Sequence, residues 1–349
     1  MKIKIKDKNI GDGEKVFIIA ELSANHNHNF ETAAESVKAI KDCGADAVKL
    51  QTYTADTLTI DSNKDYFKIN QGTLWDGSTL YDLYKKAYTP WEWQPKLKKL
   101  AEDLGLICFS SPFDKTAVDF LEKMDVPAYK IASFEIVDLP LIEYVASKGK
   151  PVIISTGIAT EEEVSDAVNR CLARGNDQIA LLKCTSEYPA PVEKMNLRGI
   201  KLLKKKFNTV VGLSDHSVGT TAASAAVALG AKIIEKHFIL DRKIGGPDSS
   251  FSLEPAEFKR MADEIRLVES ALGKEEIEPD DKSKKSRAFA RSLFVVQDIP
   301  AGGIFTEENV RSIRPSNGLM PKYLNDVLGK KAAINIERGT PLNWDLIEK

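Results

Sequence analysis

TVVGLSDHSVGTTAASAAVALGAKIIEKHF, residues 209–238, is the stretch whose reading decides the fold. Two short apolar runs, Thr209–Leu213 and Ala231–Ile234, flank a segment at 218–229 with helical patterning. Strand, helix and strand in that order make a unit whose two strands run parallel in one sheet. Each run leads into a histidine: His216 in Ser214-Asp215-His216-Ser217, and His237 in Glu235-Lys236-His237-Phe238. The chain has only four histidines, so two at matching strand ends point to a site. Active sites on the C-terminal rim of a parallel barrel collect their residues from strand ends in this way.

The same alternation extends in both directions. Strands are expected at 16–21, 46–51, 106–110, 128–132, 151–155, 178–184, 209–213 and 231–236. Helices are expected at 30–43, 91–104, 114–124, 138–148, 160–173, 196–206, 218–229 and 255–272. The strands are near-continuous apolar runs, as in a parallel sheet buried on both faces. Eight such units predict an α/β chain folded as a (β/α)8 TIM barrel over residues 1–273. A doubly wound open sheet is the alternative, but no GxGxxG turn or P-loop accompanies the strands. The connection Thr52–Thr89 is unusually long and carries Tyr53, Tyr66, Phe67, Trp75, Tyr81, Tyr84 and Tyr88. Loops of that length are commonly functional, and its aromatic content argues against disorder. Composition changes at Lys274–Arg287, so residues 274–290 read as a charged linker. Beyond it a strand at Ser292–Val296 and scattered glycines predict a small β-rich domain over 291–349.

Composition bounds the function. Hydrophobic residues are 43% of the 349, enough for a sizeable core, yet no run is long enough to span a bilayer. The net charge of −2 gives no footprint for nucleic acid. The start, Met1-Lys-Ile-Lys-Ile-Lys, alternates like an edge strand and lacks the apolar core of a signal peptide. Cys43, Cys108, Cys171 and Cys184 form no CxxC pair and read as reduced thiols of a cytoplasmic protein.

Polar residues gather at the strand ends: Glu21, Lys49 and Gln51, Ser110 and Ser111, Lys130 with Ser133 and Glu135, Ser155, Cys184 with Ser186 and Tyr188, then Ser214, His216 and His237. Two lysines among hydroxyls would make a basic, donor-rich pocket for a small phosphorylated or carboxylated anion. Glu21 is the carboxylate placed for proton transfer, with a salt bridge to Lys49 as its other role. His216 and His237 supply two imidazole ligands with no cysteine in reach, which suits Mn²⁺ or Mg²⁺ better than structural zinc. His26 is a second candidate for the pocket wall, and His28 reads as surface.

These segments resemble the sialic acid synthase family. The matching stretches are Ile18-Ile-Ala-Glu21, Asn25-His-Asn27, Asp46-Ala-Val-Lys49-Leu-Gln51, Ser111-Pro-Phe113, Tyr129-Lys130-Ile-Ala-Ser133, Ile154-Ser-Thr-Gly157, Cys184-Thr-Ser-Glu-Tyr188 and the two histidine segments. Arg291-Ser-Leu and Arg314-Pro-Ser-Asn317-Gly resemble the family's antifreeze-like (SAF) domain. The resemblance implies condensation of phosphoenolpyruvate with an open-chain amino sugar to a nine-carbon 2-keto acid and phosphate. It implies that Lys49, Ser111, Lys130, Ser133, Ser155 and Ser214 hold phosphoenolpyruvate. Gln51, Tyr188, Asp248 and Arg314 would hold the sugar, His216 and His237 the metal, and Glu21 would handle protons or water, with His237 also catalytic. Glu21-Leu-Ser-Ala-Asn-His-Asn and the 73–93 segment are similar to the pseudaminic acid synthase branch, which uses 2,4-diacetamido-2,4,6-trideoxy-L-altrose. An N-acetylneuraminate or legionaminate synthase, a pyruvate aldolase and a non-catalytic carbohydrate-binding protein are the alternatives. Lys183 departs from the family pattern and would alter the pocket if it points inward. Arg314 lies beyond the linker, so in a homodimer with exchanged C-terminal modules it would serve the partner's barrel.

Overall fold

The structure is a computed structural model that describes residues 1–348. The chain divides into two compact units, Met1–Gly273 and Lys274–Lys349. The first opens with a hairpin, β1 (Lys2–Ile5) and β2 (Lys8–Gly11). Eight parallel strands follow: β3 (Phe17–Glu21), β4 (Ala47–Thr52), β5 (Ile107–Pro112), β6 (Tyr129–Ile131), β7 (Val152–Ser155), β8 (Ile179–Cys184), β9 (Val210–Asp215) and β10 (Ile233–His237). They close in sequence order, with β10 pairing back onto β3. This is the (β/α)8 barrel that the alternation predicts, and the expected strands lie within two residues of the observed ones.

Helices α1 (Phe30–Asp42), α2 (Ala55–Leu58), α3 (Leu80–Ala87), α4 (Gln94–Asp103), α5 (Lys115–Lys123), α6 (Leu139–Ala146), α7 (Glu161–Ala173), α8 (Gly199–Phe207), α9 (Thr221–Ala228) and α10 (Pro255–Leu272) complete the unit. α7 shows why the local sequence folds as it does. Thr160 and Glu163 form a capping box, and three glutamates occupy the positive first turn. Val164, Ala167, Val168 and Cys171 then recur at helical spacing and are the residues buried.

Alternation along the strands sets the site. Odd-numbered positions of β3, β4 and β10 face the barrel interior, so Ile19 and Ala47 share a core with Ile233. The even positions Ile18, Val48 and Ile234 pack outward against α1, α9 and α10. Gly212 is required by this geometry, because a Cβ there would lie 2.3 Å from the Ile233 carbonyl oxygen and 2.6 Å from Leu182. Ile3, Ile5 and Ile10 of the hairpin join Phe17 and Ile107, at the strand starts, in one cluster. The edge strand expected at the start is therefore half of a hairpin whose second strand, Lys8-Asn-Ile-Gly11, is too polar to be read from sequence.

The 52–89 connection is built rather than loose, since α2 and α3 lie within it. Its aromatic residues divide: Tyr53 packs on Tyr84 and Phe113 at 5.8 and 5.0 Å, while Tyr66 is 90% exposed. In the second unit, the charged segment contains a short helix, α11 (Asp281–Ser286), capped by Asp280. β11 (Ser292–Val295) pairs antiparallel with β12 (Val310–Ile313). A small helix, α12 (Leu324–Val327), lies over a core of Leu293, Val295, Phe305, Val310, Val327 and Leu342. Among the described residues no helix is long and apolar enough to cross a membrane.

Candidate active site

Side chains from every barrel strand meet at the C-terminal rim. Glu21 and Lys49 are cross-strand partners, and so are Glu21 and His237. The Lys49 ammonium touches the Glu21 carboxylate. Lys49 also donates to the Ser111 hydroxyl at 3.3 Å. Lys130 donates to Ser155 Oγ at 2.6 Å and to the Ile131 carbonyl at 3.1 Å.

Glu235 ties these groups into one cluster, and the sequence reading assigned it no role. Its Oε1 lies 3.4 Å from Lys49 Nζ and 3.6 Å from Lys130 Nζ, and accepts from Ser214 Oγ at 3.2 Å. The expected basic pocket is therefore corrected: its two ammonium groups are balanced by two buried carboxylates. Burial opposes the charge on Glu235, but Lys130 and Lys49 outweigh it and hold the carboxyl below its ordinary range. Burial pushes Glu21 up to about 7 against the pull of Lys49, and burial lowers Lys130. Glu135, on the loop after β6, is likewise pushed up to about 7 by burial.

A second group lies beside the first. Ser133 and Ser186 share a hydrogen bond of 2.7 Å, and Ser133 Oγ accepts from the Ile158 amide at 3.2 Å. Gly157 makes room for it, since a Cβ there would sit 2.1 Å from Ser186 Oγ and 2.5 Å from Ser133 Oγ. The rings of His216 and His237 stand 5.4 Å apart, and Tyr188 covers His216 at 4.4 Å. Trp75, from the long connection, packs on Tyr188 at 5.4 Å and donates to the Pro247 carbonyl. Asp248 accepts from Ser23 and lies 3.9 Å from His237 Nδ1. Gln51 follows Lys49 on the same face of β4, with Ser111 as its strand partner.

The histidine pair suits an ion with open positions. His216 Nδ1 is engaged by the Thr185 carbonyl at 3.1 Å; burial opposes charge on this ring, but Cys184 beside it outweighs burial and raises its pKa, so Nε2 is the nitrogen left to bind an ion once the ring is deprotonated. His237 Nδ1 is buried without a partner, and burial, with His216 beside it, holds this ring well below its ordinary pKa and thus neutral. Among the described residues no third His, Cys, Asp or Glu completes a ligand cluster. Two imidazoles without a third ligand could hold a divalent ion with open positions for water and substrate oxygens, and do not make a closed zinc site. Other buried oxygens without partners concentrate nearby: Glu21 Oε1, Glu235 Oε2 and Glu135 Oε2. Unpaired buried polar atoms are rare in folded proteins, and a group of them marks where a ligand binds.

A model described as the NeuB family matches residues 36–277, and one described as the SAF domain matches residues 290–348. The chain belongs to the NeuB family. It is 52% identical over 334 residues to a Campylobacter jejuni protein named pseudaminic acid synthase, covering 96% of this chain and 97% of that one. A Helicobacter pylori protein of the same name is 49% identical, with 95% and 98% covered. Among solved structures, an N-acetylneuraminic acid synthetase from Leptospira borgpetersenii superposes with a TM-score of 0.74 at 31% identity, covering 82% of this chain and 95% of that one.

In this NeuB-family barrel two side chains whose direction the sequence left open lie outside the strand-end cluster. Lys183 does not enter the pocket. Cys184 faces the site, so its neighbour on β8 faces α8, where the Lys183 side chain lies against Gly199 and lines a separate surface cleft. His26 does not line the pocket either. Its Nδ1 accepts from the His28 amide, its Nε2 meets Thr89 Oγ1 at 2.9 Å, and burial lowers its pKa to about 4. It fastens the loop after β3 to the segment before α4, while His28 is exposed. An open cleft of about 570 Å³ lies outside the Trp75 wall, lined by Leu74, Trp75 and Pro247. It holds none of the strand-end lysines, so the chemistry belongs to the strand-end cluster. Arg314 sits in the C-terminal unit, where it is exposed.

Proposed function

We propose that this chain condenses phosphoenolpyruvate with 2,4-diacetamido-2,4,6-trideoxy-L-altrose to give pseudaminic acid and phosphate. The observation that carries the reading is the buried Lys49, Glu235 and Lys130 cluster with Ser111, Ser155 and Ser214 around it. Similarity to the Campylobacter and Helicobacter synthases supports the choice of sugar.

The two ammonium groups oppose the phosphate and carboxylate of phosphoenolpyruvate, and the serine hydroxyls donate to its oxygens. Its methylene carbon attacks the aldehyde carbon of the sugar, the C=C π pair forming the new C–C bond and leaving the phosphate-bearing carbon electron-poor, and the aldehyde oxygen takes a proton. Water adds at the carbon bearing phosphate and gives up its protons as phosphate departs, leaving the 2-keto acid. Glu21, pushed to about 7, holds or releases a proton at neutral pH. Gln51, Tyr188 and Asp248 hold the sugar. His216 and His237 would hold Mn²⁺ or Mg²⁺, which supplies Lewis-acid polarisation of the aldehyde oxygen when bound.

The working form in this reading is a two-fold dimer in which Arg314 of one chain serves the barrel of the other. Its exposure within its own unit, past a charged segment of chain, supports this. Four free, buried cysteines support a cytoplasmic location. The test is phosphate release. The purified chain should release phosphate from phosphoenolpyruvate only when the amino sugar is present. Turnover of pyruvate in its place would make the chain an aldolase, and no turnover of either would make it a binding protein.

A further inference from the structure

Lys236 and Asp215 form an ion pair that the reaction itself does not use. They are cross-strand partners on β10 and β9, and each immediately precedes one of the two histidines. Lys236 Nζ lies 2.8 Å from Asp215 Oδ2 and also donates to the Ser217 carbonyl. Asp215 Oδ1 accepts from the Ser217 amide at 2.9 Å and from its hydroxyl at 2.7 Å. All three residues are at most 1% exposed.

Two physical points give this network a purpose. A buried ion pair is a poor source of stability, because desolvation consumes most of its attraction and apolar side chains would serve equally well. Here the pair links the end of β9 to β10 and to the turn that carries His216. His216 lies one residue past the end of β9, so the sheet ladder does not hold it. The Ala190 amide donates to its carbonyl at 3.0 Å, and Lys236 ties the Asp215–Ser217 turn that carries it to β10.

We propose that the Asp215, Lys236 and Ser217 network is a positioning device that sets His216 against His237 to receive a divalent cation. The proposal rests on the metal reading given above. Mn²⁺ binding to the metal-stripped full chain, measured by isothermal titration, tests it. Asp215→Leu/Lys236→Met removes both charges and avoids leaving either one buried alone. It should fold, by circular dichroism, and bind Mn²⁺ roughly ten- to a hundredfold more weakly, the usual cost of losing outer-shell support. Val168→Ala in α7, which loosens packing in the separate core cluster that α7 joins, should leave Mn²⁺ affinity unchanged. If the double variant does not fold, Ser217→Ala removes one hydrogen bond to Asp215 and should weaken binding roughly threefold. Parent-like affinity in a folded double variant, or in Ser217→Ala, overturns the positioning role alone. No Mn²⁺ or Mg²⁺ binding by the parent chain overturns the metal reading and this one with it.

Discussion

Glu235→Gln separates the proposed role of Glu235 from that of a passive core residue. Its Oε1 lies 3.4 and 3.6 Å from the two ammonium groups. At an effective dielectric near 20, each contact represents roughly 5 kcal/mol of gross attraction. Desolvating the carboxylate returns several kcal/mol of that. Glutamine keeps the shape and deletes the charge. Lys49 retains Glu21, but Lys130 is left with only Ser155 and a carbonyl oxygen. Breaking a buried pair in this way costs about 3–5 kcal/mol. Shedding the Lys130 proton at pH 7.5 limits the loss to about 4 kcal/mol, which corresponds to a fall in Tm of roughly 5–15 °C for a domain of this size. The sign with pH follows from the lowered pKa of Lys130. Its unfolded form binds more protons than its folded form, so stability rises with pH. The penalty is complete below the folded pKa and fades as pH approaches the unfolded value of about 10.4. Thermal unfolding of parent and variant at pH 7.5 and 9.5 should therefore show a deficit that shrinks at the higher pH. Phosphoenolpyruvate should raise the Tm of the variant more than that of the parent, because its anionic groups pair the stranded ammonium. A deficit equal at both pH values, with no larger ligand shift, would refute the reasoning.

Three other outcomes are expected. Chelation followed by dialysis should abolish turnover, Mn²⁺ or Mg²⁺ should restore it, and His237→Ala should lose at least a hundredfold in kcat while staying folded; full activity in chelator contradicts the metal reading. Gly157→Ala should raise KM for phosphoenolpyruvate tenfold or more, roughly 1.4 kcal/mol, because its methyl group collides with the Ser133 and Ser186 hydroxyls; unchanged kinetics would show that those hydroxyls lie outside the anion site. Mixing inactive Arg314→Ala and Glu21→Ala chains under subunit exchange should restore about a quarter of parental activity if Arg314 acts across a two-fold dimer, and recovery of nothing would return Arg314 to its own barrel.

The barrel was legible because its strands are buried on both faces and read as unbroken apolar runs bounded by turn residues. Hairpin strand β2 was not legible, because Lys8 and Asn9 leave only Ile10 to mark its buried face. Within the site, hydroxyls and lysines at strand ends announced themselves by type. Glu235 did not, although period-2 alternation carried the signal. Once His237 faces the interior, Glu235 and Ile233 must face it too. The same parity turns Lys183 outward once Cys184 is inward. His26 stayed open for another reason: a histidine beside a strand end is equally suited to fastening a loop, and only its two ring partners, Thr89 and the His28 amide, show which role it takes.

A competition assay tests the central claim most directly. The purified chain is given phosphoenolpyruvate, a divalent ion, and equal amounts of 2,4-diacetamido-2,4,6-trideoxy-L-altrose and N-acetylmannosamine, and the products are separated by mass. The account predicts that the bis-acetamido nine-carbon acid dominates, formed one for one with phosphate. N-acetylmannosamine should give only slow side turnover, since an apolar wall rejects an added hydroxyl by about a hundredfold at best. Faster formation of the N-acetylmannosamine product, or phosphate release with no nine-carbon acid, would contradict it.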